Sequence, residues 1–482
     1  MKFRPDPTML RSLPGRLALL SSAAALAAGC AASSPVPPQV DPYFPATVAI
    51  SPDSSDSFLF LANANSDLKY GAGSLQVYDL AQVAQMAGTW KGGAGTLPQD
   101  CTLDSIHPEL VHCPSTTVDG ARAIYVAGAA VQIGNFVSAV KVQPLSDGSM
   151  RLFTSVRGDP SITWIDFSPQ AGTLDCGGDG AFPHCDDRHR LQTIRNDEDL
   201  GVLQVEPYGM ALDSAREHVV VTHLTSGDIS LVRAPLDPAE LPTLQDRLTG
   251  IWAPNSQNLI SAVAAAPRKA GDPSDLFYVT SRSEARVNLV RAVDHVEPDG
   301  SKTARLVHAD SFFYAPSPAG NGLDGDARGV AFSPDGDQAF VVSRLPPSLL
   351  TFDTSIDPAT GTPRHDLVNQ VALCSHLVVN AGGGPDAVAV VDVNADPAVF
   401  DPRVYVTCFD LGEVWVVDTT RGVLESTITV GGGPDSIAVS TVHKQAYVGN
   451  YGDDTISVVD LDPESPTYQH AVLQLGELRG EN

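Results

Sequence analysis

Short runs of alternating apolar and polar residues recur from about residue 45 to residue 475, separated by turns rich in Gly, Pro, Asp and Ser. One set reads SLQVYD, SITWID, DISLVR, RVNLVR, SLLTFD, EVWVVD and TISVVD. Period-two alternation over so few residues predicts half-buried β-strands, not helices. A second set reads ATVAISPD, VSAVKVQP, YGMALDS, ISAVAAA, RGVAFSPDG, DAVAVVD and DSIAVST. Its small and branched apolar residues suit strands packed tightly around an axis. Between the two sets stands an anchor residue, in turn Phe60, Phe153, Val220, Tyr278, Phe340, Tyr405 and Tyr447. The same succession of strands therefore recurs along the chain, the mark of a repeat architecture.

The repeat is plainest in VYVTCFDLGEVWVVDTTRGVLESTITVGGGPDSIAV and in AYVGNYGDDTISVVDLDPESPTYQHAVLQLG. These units resemble the YVTN-type β-propeller repeat family, with its Tyr-Val-Thr-Asn-like strand, its TVSVID-like run and its Gly-x-x-Pro turn. The resemblance implies an all-β fold, a seven-bladed β-propeller with loop insertions. It would form a single domain over residues 45–477, with a tail at 478–482. The segment ARAIYVAGAA near residue 125 could head an eighth unit. It reads better as the delayed outer strand of blade one, because Phe153 follows too soon for another blade. The alternating strands end on Asp79, Asp166, Arg233, Arg291, Asp353, Asp418 and Asp460. The five carboxylates in that column are expected to accept backbone N–H bonds in the following turn, and the two arginines to pair with neighbouring acids.

Composition fits this picture. A chain of 482 residues is too long for one ordinary core unless it repeats radially. Its 41 Gly and 37 Pro mark blade turns. The net charge of −27 argues against nucleic acid and against electrostatic docking on anionic lipid.

The N-terminus adds an address. Lys2, Arg4, Arg11 and Arg16 precede an apolar run from Leu17 to Gly29, too short to span a bilayer and suited to a signal peptide over residues 1–29. It ends Leu26-Ala27-Ala28-Gly29-Cys30, which resembles the lipobox of bacterial lipoproteins, with Leu26 one place early. The resemblance implies a lipid on Cys30 and an outer-membrane lipoprotein facing the periplasm or the cell surface. Residues 30–44 read as a Ser/Pro-rich tether. Cleavage would leave a charge of −30. Six cysteines then remain: Cys101, Cys113, Cys176, Cys185, Cys374 and Cys408, an even number that fits disulfides in an oxidising compartment.

Propeller geometry gives the residues directions. Third-to-fourth connections, including the insertions after Leu80, Phe167, Ala234 and Ser355, decorate one face, together with a 394–401 insertion. The opposite face carries the entrances to the first strands: Ala46, Val137, Tyr208, Ile260, Arg328, Asp386 and Asp435. Second-to-third loops add Arg157, His223, Arg344, Asp410 and Tyr451. Tyr208, Arg328, Asp386, Asp435, Arg157 and His223 are the ligand-face candidates.

Catalytic signals are thin. The pairs His107/His112, His184/His189 and His218/His223 lack a third metal ligand. Asp392-x-Asn394-x-Asp396 begins like a calcium loop, but has Pro397 where Gly is required and Arg403 where a bidentate Glu is required. No cofactor or metal is expected. The expected function is a membrane-anchored binding scaffold, monomeric, for a protein, peptide or envelope polymer. Two alternatives remain: a lactonase-like or metal-assisted hydrolase at the channel mouth, resting on Arg157, His223 and Arg328, and a structural component of an envelope assembly.

Overall fold

The computed structural model describes residues 34–90, 97–119, 122–192, 203–252, 260–269, 274–300, 302–314, 325–375, 383–392 and 401–477. The proposed signal peptide, Cys30, and residues Asn394 and Asp396 of the calcium-like loop lie outside them.

Seven antiparallel sheets follow one another along the chain. Their innermost strands are Pro45–Ile50, Val137–Pro144, Pro207–Leu212, Ile260–Ala265, Ala327–Phe332, Pro385–Asp392 and Pro434–Ser440. Each packs beside the next, and the last beside the first, so the sheets close into a seven-bladed propeller. Tyr125–Ile133 is the outer strand of blade one, as its late position implies.

The anchors pack between blades: Phe60, Phe153, Val220, Tyr278, Phe340, Tyr405 and Tyr447 are all 0–1% exposed. Each sits in the middle of a second strand, where both faces are covered by neighbouring sheets. Phe332 fills the same layer, edge-on to Tyr278 with ring centroids 4.8 Å apart. The terminal carboxylates of the third strands do structural work. Asp79, Asp353, Asp418 and Asp460 accept backbone N–H bonds from Gln82, Ser355, Arg421 and Asp462. Asp166 instead holds the fully buried Arg151 in a bidentate pair at 2.7 and 3.0 Å. Arg233 pairs with Glu240, while Arg291 donates to the Ser274 carbonyl and, among the described residues, is held by backbone and not by an acid.

Two insertions depart from the sequence reading. In blade two the loop does not precede the fourth strand but interrupts it. Thr173–Asp175 and Arg190–Leu191 both pair with the third strand, and the Cys176–Cys185 disulfide closes the excursion between them. In blade one the insertion begins with a helix, Leu80–Trp90, whose Leu80, Val83, Met86, Ala87 and Trp90 form one buried face at helical spacing. It continues as a hairpin whose strand Val111–Cys113 adds in parallel to the outer strand of blade seven, Ala471–Leu475. A disulfide between Cys101 and Cys113 locks that hairpin. Blade one thus clasps blade seven across the seam where the ring closes.

Residues 34–44, the described part of the expected tether, are docked on blade one. Gln76 Nε2 donates to the carbonyls of Pro38 and Asp41, the Tyr78 hydroxyl to that of Val40, and Tyr43 is buried. Among the described residues no helix is long and apolar enough to cross a membrane.

Candidate functional site

A channel of about 220 Å³ runs along the propeller axis between the innermost strands. Its mouth is built by a repeated irregularity. The pairing of every innermost strand with its second strand skips register near the start. The skip leaves Ala46, Ser138, Arg328 and Asp435 out of the ladder in four blades, and the pairs Tyr208–Gly209, Ser261–Ala262 and Asp386–Ala387 in the other three. A bulge frees a residue from pairing and re-aims its side chain, so seven bulges in register make a ring. The sequence reading placed Val137 and Ile260 in this ring. The structure pairs both, with Val156 and Ser281, and puts Ser138 and Ser261 at the bulges instead. Glycine permits the close approach of neighbouring strands here. A Cβ on Gly329 would lie 2.8 Å from the Asp386 carbonyl oxygen, and one on Gly209 2.6 Å from that of Ser261.

Four of the six ligand-face candidates, Tyr208, Arg328, Asp386 and Asp435, line the channel. Asp386 and Asp435 belong to adjacent blades and share a hydrogen bond. Burial, then the charge of Asp386, holds the Asp435 carboxyl well above the usual carboxylate range. Arg344 Nη2 meets Asp386 at 2.6 Å, and its Nε donates to the Pro385 carbonyl. Arg328 makes a bidentate pair with Asp326 at 2.6 and 3.0 Å. Arg157 lies beside the ring, not in it, paired with Glu206 at 2.9 Å. Its guanidinium is 5.8 Å from the centre of the Tyr208 ring.

The sixth candidate, His223, is not on the ligand face. Its ring is fully buried, with Nε2 2.8 Å from Ser230 Oγ and Nδ1 3.3 Å from the Val205 carbonyl oxygen. Burial pushes its pKa down to about 4, so it is neutral at physiological pH and serves the blade wall. It ends the second strand facing Pro207, where the loop folds back over it.

Two site residues escaped the sequence reading. Arg282, from the second-to-third loop of blade four, stacks on Tyr208 at 4.6 Å and donates to Ser261 Oγ at 3.3 Å. Its charge also acts on the Glu206 and Asp435 carboxyls, favouring their ionised forms. Lys141 lines the channel deeper in. Its signal was present in VSAVKVQP, where Lys stands against the Ala of the aligned first strands. The three disulfides pair Cys101–Cys113, Cys176–Cys185 and Cys374–Cys408. The third ties blade five to blade six on the mouth face.

No family model and no curated protein matches the chain. Solved structures do. A 6-phosphogluconolactonase-like protein of Bacteroides fragilis aligns with TM-score 0.52 and 13% identity, over 88% of this chain and 99% of that one. A chain of Kuenenia stuttgartiensis hydrazine synthase aligns with TM-score 0.50 and 13% identity, over 88% and 97%. The periplasmic gluconolactonase of Pseudomonas aeruginosa is 18% identical at TM-score 0.45, over 81% and 86%. At such identities the first two likenesses show the fold alone, a seven-bladed β-propeller.

Proposed function

We propose that the protein is an exported, lipid-anchored binding propeller that receives a polar group of a protein, peptide or envelope polymer at its channel mouth. One observation carries this reading: seven bulges in register present Tyr208, Arg328, Asp386 and Asp435 around a single channel. Such a concave site with a few convergent polar groups is the usual form of a ligand pocket. The anchor rests on the lipobox-like Cys30. The disulfides support export, since all six other cysteines are paired. Thermal-shift titration with tetrapeptides bearing free termini and with envelope oligosaccharides tests the site. The expected result is a stabilising ligand whose effect is lost in Arg328→Ala/Asp435→Ala. An equal shift in that variant, or none in the wild type, sinks the reading. Palmitate labelling that survives Cys30→Ser sinks the anchor.

A second reading, a lactonase-like hydrolase, draws on the Asp386–Asp435 pair. A carboxyl whose pKa is raised beside a second carboxyl is an arrangement that general acid–base chemistry uses. Turnover of a lactone panel, abolished by Asp435→Asn, would establish it. A metal-assisted version would need ligands gathered together, and among the described residues no three His, Cys, Asp or Glu are so grouped. A structural role through the insertion face is constrained by the clasp, which already engages Val111–Cys113 with blade seven.

A further inference from the structure

The residue paired with each anchor stands at one level of the innermost strands. Six blades place alanine there: Ala49 faces Phe60, Ala211 faces Val220, Ala264 faces Tyr278, Ala331 faces Phe340, Ala389 faces Tyr405 and Ala438 faces Tyr447. In blade two the residue facing Phe153 is Lys141. It lines the channel and is half-buried.

Among the described residues, the Lys141 ammonium has no hydrogen-bond or ion-pair partner. Burial is the one resolved cause that pushes it down, and no carboxylate offsets it. Three residues along the strand separate Lys141 from the bulge at Ser138, about 10 Å at strand rise. Val140, Val263, Val330 and Val388 make much of the intervening wall apolar. A cation held in such surroundings without a counter-charge is costly. The fold does not need it, because six blades close the same layer with alanine. A lone lysine facing a void is complementary to an anion arriving from solution.

We propose that the channel binds a small monocarboxylate, its carboxylate on Lys141 and its other end toward Arg328 and Asp435. This deepens the channel-mouth reading by naming a ligand class for the same channel. The volume of about 220 Å³ holds roughly seven waters, which limits the ligand to a few carbons. Bound carboxylate stabilises the charged ammonium, so binding above the depressed pKa takes up protons.

The test is isothermal titration of the full mature chain with propionate and with propionamide at constant ionic strength, in wild type, Lys141→Ala and Lys141→Met. Lys141→Ala installs the residue of the other six blades, so it should fold, with a melting temperature at or above that of wild type. Propionate should bind wild type at least tenfold more tightly than propionamide, with proton uptake on the alkaline side seen by comparing two buffers of different ionisation heat. Both variants should lose that advantage. Equal binding of amide and acid, propionate binding retained in both variants, or no binding to wild type at 50 mM overturns the proposal. Lys141-dependent propionate binding with no response to any peptide or oligosaccharide would sink the mouth reading and leave this one standing. The converse pattern would sink this one alone.

Discussion

Removing the blade-one clasp should weaken the ring at its seam. The perturbation is Cys101→Ala/Cys113→Ala. The two cysteines are 12 residues apart in sequence, and the hairpin they lock carries Val111–Cys113 against Leu473–Leu475. Loop-closure entropy for a ring of that size is about 10 cal/mol/K, or about 3 kcal/mol at 25 °C. Unfolding entropy for a domain of about 430 residues is about 0.9 kcal/mol/K, so the melting temperature should fall by about 3 °C. The Cys176→Ala/Cys185→Ala variant is the control. Its loop is similar, with a separation of 9, giving about 2.7 kcal/mol by the same relation, but it lies within one blade. Differential scanning calorimetry should find comparable drops for the two variants. Limited proteolysis should separate them, because only the clasp variant should be cut within residues 97–119 under native conditions. Chain entropy treats both loops alike, whereas only the first holds two blades together. Identical cleavage patterns would refute the clasp as the closure of the ring.

Three further outcomes follow from buried groups. His223 has a pKa of about 4 in the folded chain against 6.5 unfolded, so the unfolded state takes up a proton first as pH falls; about 3 kcal/mol of stability should be lost between pH 6.5 and 4, and His223→Gln should lack that slope in pH-dependent melts. Arg151→Met strips the bidentate partner from Asp166 and the cation from the Trp164 face 4.7 Å away, and urea denaturation should show a loss of about 3 kcal/mol, with most of it recovered in Arg151→Met/Asp166→Leu. Gly329→Ala drives a methyl against the Asp386 carbonyl 2.8 Å away, and it should reduce ligand-induced thermal shifts at the mouth more than Gly148→Ala, placed in an open turn, whose own effect is confined to stability.

Much of the blade architecture was legible because each blade is contiguous in sequence. Alternation in EVWVVD or TISVVD reports a strand directly, and an anchor such as Tyr447 reports the strand packed between sheets. The mouth was legible in part for the same reason: Tyr208, Arg328, Asp386 and Asp435 open their first strands. Val137 and Ile260 were each one residue off because a bulge changes pairing without changing alternation. His223 was misplaced because its position at a loop says nothing of the fold-back that buries it. Arg282 comes from a neighbouring blade's loop, and its stacking on Tyr208 depends on how two blades sit side by side.

By itself, the chain's pattern determined the repeat, the seven blades and the chemistry available at the first-strand entrances, because each of these is encoded within a few tens of residues. Only the tertiary structure decided the clasp, in which Val111 meets Leu473 across most of the chain. It alone decided the raised pKa of Asp435, which depends on burial and then on Asp386 of the neighbouring blade. It also gave meaning to Lys141, an ordinary lysine in VSAVKVQP until the ring closed around it. The physical reason is common to all three: ring closure brings distant residues together and excludes water from between them. Burial and neighbouring charge, which govern protonation and binding, exist only after that closure.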